Sequence, residues 1–114
     1  MQIHIQPTPS SRIDQVDFDH LAFGRSFADH MLVAEYADGA WQKVTIQPYG
    51  PLEYQPAMMS LHYGQAIFEG MKGYRSVSGD IQVFRPEENM KRFNKSATRM
   101  CMPEVPKEIF LFPL

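Results

Sequence analysis

Cysteine is almost missing from this chain: Cys101 is the only one, so an internal disulfide is excluded. That usage, with no secretory leader, points to a reducing cytoplasmic compartment. Met1 to Gln15 mixes polar residues, prolines and serines where a leader would need an apolar core. No hydrophobic run approaches the length that crosses a bilayer, so no membrane partner is expected. Net charge is small too. A net charge of −2 leaves no basic excess for phosphate backbones, which argues against a nucleic-acid partner. The four histidines, His4, His20, His30 and His62, lack zinc-like spacing and have no cysteine pair to join, so no metal is expected. Gly64, Gly70 and Gly73 match neither the dinucleotide fingerprint nor the P-loop.

What is present is ordinary globular composition, 44% hydrophobic and 21% charged over 114 residues, enough for one small core. Eight methionines fit a Met-rich core or an adaptable contact surface. Residues 1–20 read as an extended arm broken by Pro7 and Pro9. Its Asp14, Asp17 and Asp19 lack the glycine and terminal glutamate of a calcium loop, so the arm is expected to be solvated. Next come two strands, His30 to Tyr36 and Trp41 to Gln47, joined by the turn signal Ala37-Asp38-Gly39-Ala40. In the second, Val44 and Ile46 share one face while Lys43, Thr45 and Gln47 share the other.

The stretch Leu61 to Arg75 organises the rest. Leu61, Gly64 and Phe68 fall at helical spacing, and Gly70 is placed to end a helix in a left-handed conformation. On such a helix Tyr63 and Phe68 stand about 140° apart and serve two different pockets. A second hairpin is expected from Lys72 to Phe84, turning at Ser78-Gly79-Asp80 with Ile81 and Val83 inward. Pro86, Glu87 and Glu88 then open a helix whose apolar stripe is Met90, Phe93, Ala97 and Met100. Its other stripe is Asn89, Arg92, Ser96 and Arg99. Pro103 closes it. Glu108 to Leu114 is almost wholly apolar and reads as an element whose continuation lies outside the chain.

No self-contained active site emerges. Lys72 reads as an exposed lysine at a strand start rather than a nucleophile, which would need a depressed pKa. Arg92, flanked by Asn89 and Ser96, allows two readings: a solvated helix face, or a planar fork of donors for a phosphate.

With these residues in view, the sequence resembles the branched-chain amino-acid aminotransferases of the class IV, fold type IV, pyridoxal 5′-phosphate-dependent group. The resemblance runs from about Leu21 and rests on Phe23-Gly-Arg-Ser-Phe-Ala-Asp-His-Met31, Pro56-Ala57, the segment Leu61 to Lys72, Phe84-Arg-Pro86 with Asn89 and Arg92, and the segment Ser96 to Pro103. It implies that Arg92 holds the cofactor phosphate. It also implies that Phe23 and Phe68 line the pocket for the substrate side chain. Tyr63 corresponds to a tyrosine lent to the partner's site in a homodimer.

The implied fold is α+β: a small antiparallel sheet of two hairpins packed on helices, the N-terminal small domain (residues 21–114) of the fold type IV enzymes. The family's cofactor-bearing lysine belongs to a larger C-terminal catalytic domain that this sequence does not contain. Lys43, Lys72, Lys91, Lys95 and Lys107 do not match it, so no catalytic residue is expected in this truncated chain. The implied activity is transamination of leucine, isoleucine or valine with 2-oxoglutarate. Two alternatives stand beside it: an inactive remnant or dimer-interface module, and a sibling activity such as D-amino-acid transamination.

Overall fold

Asp38 and Gly39 both sit at positive φ, 51° and 77°, the two left-handed residues that a tight right-twisted hairpin turn demands. They join β2 (His30–Ala37) to β3 (Ala40–Pro48) in the computed structural model, which describes residues 2–114. Pairing runs from Ala37↔Ala40 to His30↔Pro48, with an irregularity between Ala34 and Tyr36. The described residues form two compact units, divided in sequence between Glu53 and Tyr54.

In the first unit the amino-terminal arm is not simply solvated. Its Ile-His-Ile alternation forms β1 (Ile3–Ile5), which pairs parallel with β3 through Ile3↔Val44, His4↔Thr45 and Ile5↔Ile46. The order β1-β3-β2 makes β3 the central strand. That placement explains a departure from the alternation read in the sequence: Thr45, expected on a polar face, is as buried as its neighbour Val44. A central strand can be covered on both faces. The arm is tied a second time where the Asp29 carboxylate accepts from Ser11 Oγ (2.6 Å), Arg12 N (3.0 Å) and Arg12 Nε (3.3 Å). Phe27 stacks on Tyr49 at 4.8 Å between ring centroids.

The second unit holds α1 (Met59–Tyr63), β4 (Gly73–Arg75), β5 (Ile81–Val83), α2 (Pro86–Arg99) and α3 (Lys107–Leu111). The two hairpins therefore belong to separate sheets, β1-β3-β2 and β4-β5, within an α+β architecture. Helix α1 stops earlier than its spacing suggests. Gly64 takes the left-handed conformation (φ 61°, ψ 25°) and its N–H bonds back to Met59 O, so residues 64–72 run without regular structure. Phe68 thus lies outside the helix, and the 140° argument for Tyr63 and Phe68 does not apply. Ile81, expected inward, is exposed, while Val83 is half-buried. A ribbon of two three-residue strands offers too little surface to bury one face fully.

Helix α2 follows its sequence closely. Pro86 opens it, Glu87 and Glu88 occupy the first turn, and Ala97 is buried with Phe93 and Met100 half-buried on the same stripe. At its end Met102 N bonds to Ala97 O (2.9 Å) and Cys101 N to Thr98 O (3.2 Å), with Cys101 at φ 56°. This is a Schellman cap with cysteine where glycine is usual. The chain returns along α2: Asn94 Nδ2 donates to Val105 O, Val105 N donates to Asn94 Oδ1, and Phe110 of α3 meets Phe93 at 5.5 Å. Ile109 is buried. Among the described residues no helix is long and apolar enough to cross a membrane.

Candidate functional site

Two elements build the best-defined polar constellation of the second unit. From α2, Asn89 and Arg92 are one turn apart and project on neighbouring lines of the helix. Opposite them lies the irregular segment after α1, freed from helical pairing by Gly64, which brings Glu69 and Gly70 within reach. Arg92 donates from Nε to Glu69 Oε2 (3.2 Å) and from Nη2 to Glu69 Oε1 (2.8 Å), a bidentate pair. Asn89 Nδ2 donates both to Glu69 Oε1 and to Gly70 O, each at 3.0 Å. Asn89 is 7% exposed. The pair itself is uneven: the Glu69 side chain is 14% exposed and that of Arg92 60%.

The electrostatics follow from this geometry. The Arg92 hydrogen bonds hold the Glu69 carboxyl below the usual carboxylate range, with a further contribution from Asn89. Glu69 in turn raises Arg92 above the ordinary guanidinium value. Both groups are therefore ionised over the whole neutral range. Arginine carries five N–H donors in a fixed plane. Glu69 takes the Nε–Nη2 edge, and the outer Nη edge remains for an oxyanion.

The remaining residues singled out in the sequence are scattered. Phe68, next to Glu69, is 91% exposed and stands over an open cleft of about 1160 Å³ together with Ile67, Met90, Lys91, Asn94 and Lys95. Tyr63 ends α1 with an exposed ring, and Phe23 is fully exposed in a turn of the first unit. Among the described residues none of these three rings takes part in a ring–ring contact. Thus Phe68 and Arg92 are brought to one neighbourhood through Glu69, whereas Tyr63 is not joined to them and Phe23 sits in the other unit. Lys43, Lys72, Lys91, Lys95 and Lys107 are all exposed. Asp17, from the acidic arm, pairs with His20 at 2.9 Å, and the described residues hold no cluster arranged for a metal ion.

Sequence reasoning missed Glu69 and, in part, Asn89. Asn89 was visible as a flank of Arg92, but its burial was not. Glu69 is 23 residues from Arg92, and no spacing rule pairs residues at that distance.

No family model matches the chain. It is, however, similar to curated proteins over most of its length. Branched-chain-amino-acid aminotransferase 2 of Bacillus subtilis is 46% identical over 100 residues, covering 87% of this chain and 28% of that protein. Branched-chain-amino-acid transaminase 1 of the same organism is 43% identical over 107 residues, covering 93% and 28%. The branched-chain-amino-acid aminotransferase of Mycolicibacterium smegmatis is 46% identical over 90 residues, covering 78% and 24%. The chain spans only about a quarter of the length of these relatives.

Proposed function

We propose, from its similarity to branched-chain-amino-acid aminotransferases over most of its own length, that the chain supplies the small N-terminal portion of a cytoplasmic, pyridoxal 5′-phosphate-dependent transaminase. The reaction exchanges the amino group of leucine, isoleucine or valine with 2-oxoglutarate. The amino-terminal arm joins that portion through β1, and the lysine that carries the cofactor comes from the larger part of the relatives' length that this chain does not span.

The observation that carries this reading is the orientation of Arg92. Its guanidinium fits the phosphate end of the cofactor: Glu69 holds the Nε–Nη2 edge, while the side chain as a whole is 60% exposed. A planar guanidinium meets two oxygens of a phosphate at once, which a lysine cannot. When bound, pyridoxal phosphate supplies the electron sink at the substrate α-carbon. This chain's residues bind and select. Phe68 gives the aliphatic side chain an apolar wall, where each methylene is worth about 1–3 kcal/mol. Tyr63, exposed at the end of α1, reaches the site of a homodimer partner.

The test is reconstitution. One of the relatives, expressed without its matching segment, is combined with this chain and pyridoxal phosphate, and amino transfer from leucine to 2-oxoglutarate is followed. Transfer is expected with the wild-type chain and at least tenfold less with Arg92→Ala. A pair that copurifies yet transfers nothing overturns the reading.

A second reading, a non-enzymatic assembly module, is favoured by one observation. Large apolar side chains are widely exposed in the second unit, among them Leu61, Tyr63, Phe68, Val77, Ile81 and Phe84. Such a surface suits a partner whether or not chemistry follows.

A further inference from the structure

We propose that Glu69 is a positioning residue: it grips the inner edge of Arg92 so that the outer edge is presented, already oriented, to a phosphate monoester. This rests on the reading of Arg92 as the phosphate-binding residue and extends it to a residue that meets no ligand itself.

Two opposite roles are open to a carboxylate beside such an arginine. It can orient the guanidinium, or it can occupy it as a competing anion that must leave before phosphate enters. The geometry separates them. A competitor takes the edge a ligand would take and is free to swing away. Glu69 takes the Nε–Nη2 edge, at 3.2 and 2.8 Å, and is not free. Its Oε1 also accepts from Asn89 Nδ2, and the same Asn89 nitrogen donates to Gly70 O, so side chain and backbone of this stretch are fastened together. Asn89 is itself buried in α2. The unequal exposure agrees: the carboxylate is the covered, fixed member and the guanidinium the presented one. An arginine on a solvated helix face samples many rotamers, all but a few of which a ligand would have to freeze out. Glu69 and Asn89 restrict them beforehand. The lowered Glu69 pKa keeps this hold in place at neutral pH.

The experiment uses the ¹⁵N-labelled whole chain, titrated with pyridoxamine 5′-phosphate and separately with pyridoxamine, while the Arg92 Nε–Hε resonance is followed. The phosphorylated compound should shift that resonance and bind more tightly than pyridoxamine, and Arg92→Ala should remove the preference. Glu69→Gln, which keeps the shape but halves the acceptor capacity toward Arg92, should reduce the preference at least fivefold. It should also lower the heteronuclear NOE of Arg92 Nε–Hε, and the joint loss of order and of phosphate preference separates a positioning role from a structural ion pair. Absence of any phosphate preference in the wild type, or its survival in Arg92→Ala, overturns the functional reading and this inference with it. A preference lost in Arg92→Ala but kept or strengthened in Glu69→Gln overturns this inference alone and makes Glu69 a competing anion. Should Glu69→Gln fail to fold, the wild-type chain still decides: an Arg92 Nε–Hε group as mobile as that of the exposed Arg75 overturns the proposal.

Discussion

Acid should release Arg92. The Glu69 carboxyl lies below its ordinary range because Arg92, and secondarily Asn89, bond its ionised form. A lowered folded-state pKa gives stability that is fully present above the unfolded carboxylate range and lost as pH falls through the folded value. The difference in melting temperature between wild type and Glu69→Gln should therefore be constant near neutrality and close in acid. A gap unchanged down to strong acid would contradict the pairing. Asp29 follows the same sign, held down first by Ser11 Oγ and then by the Arg12 N–H. Arg92→Ala should cost phosphate preference far more than cooperativity of unfolding, since the side chain is mostly exposed. Legibility at this scale was partial. Arg92 is found through the resemblance of its motif to a family, because a helix face of Asn89, Arg92, Ser96 and Arg99 looks solvated by periodicity alone. Its partner was invisible, because a contact across 23 residues is made by the fold and not by local spacing.

At the scale of single elements, what could be read was whatever local chemistry dictates. The Asp38-Gly39 turn and the Pro86-Glu87-Glu88 helix start are fixed by φ preference and the helix dipole, and both stand where the sequence puts them. Helix α1 was misread because Gly64 and Gly70 offer the same left-handed option and spacing does not choose between them; the chain uses Gly64. The parallel pairing of β1 was missed since three residues of alternation are too few to announce a strand. The end of α2 gives a prediction. Cys101 holds φ 56°, and left-handed backbone costs a residue with a Cβ roughly 1–2 kcal/mol. Glycine removes that cost but gains freedom in the unfolded chain, worth about 0.4–1 kcal/mol. Cys101→Gly should thus stabilise the chain by about 0.5–1 kcal/mol in urea titration. Destabilisation would mean that the thiol makes a contact outweighing the strain.

For the molecule as a whole, the strongly buried apolar residues among those described are few: Val44, Ala97 and Ile109. Far more large apolar side chains are exposed, and a small domain with so little core depends on covering them. At micromolar concentration the chain should elute in light-scattering chromatography above its 13.1 kDa monomer mass. A well-behaved monomer would remove the support for a subunit or domain partner. On the proposed function this chain grips the cofactor phosphate and shapes the apolar side of the pocket while holding no covalent anchor, its five lysines all being exposed. A stoichiometric bond to the cofactor aldehyde needs an amine held against it in a water-excluded site, and none of the five lysines is buried. The most direct measurement mixes the chain with equimolar pyridoxal phosphate, reduces with borohydride and maps pyridoxyl adducts by mass spectrometry. Scattered trace labelling over Lys43, Lys72, Lys91, Lys95 and Lys107 is the expected result, and a stoichiometric adduct on any one of them would contradict it.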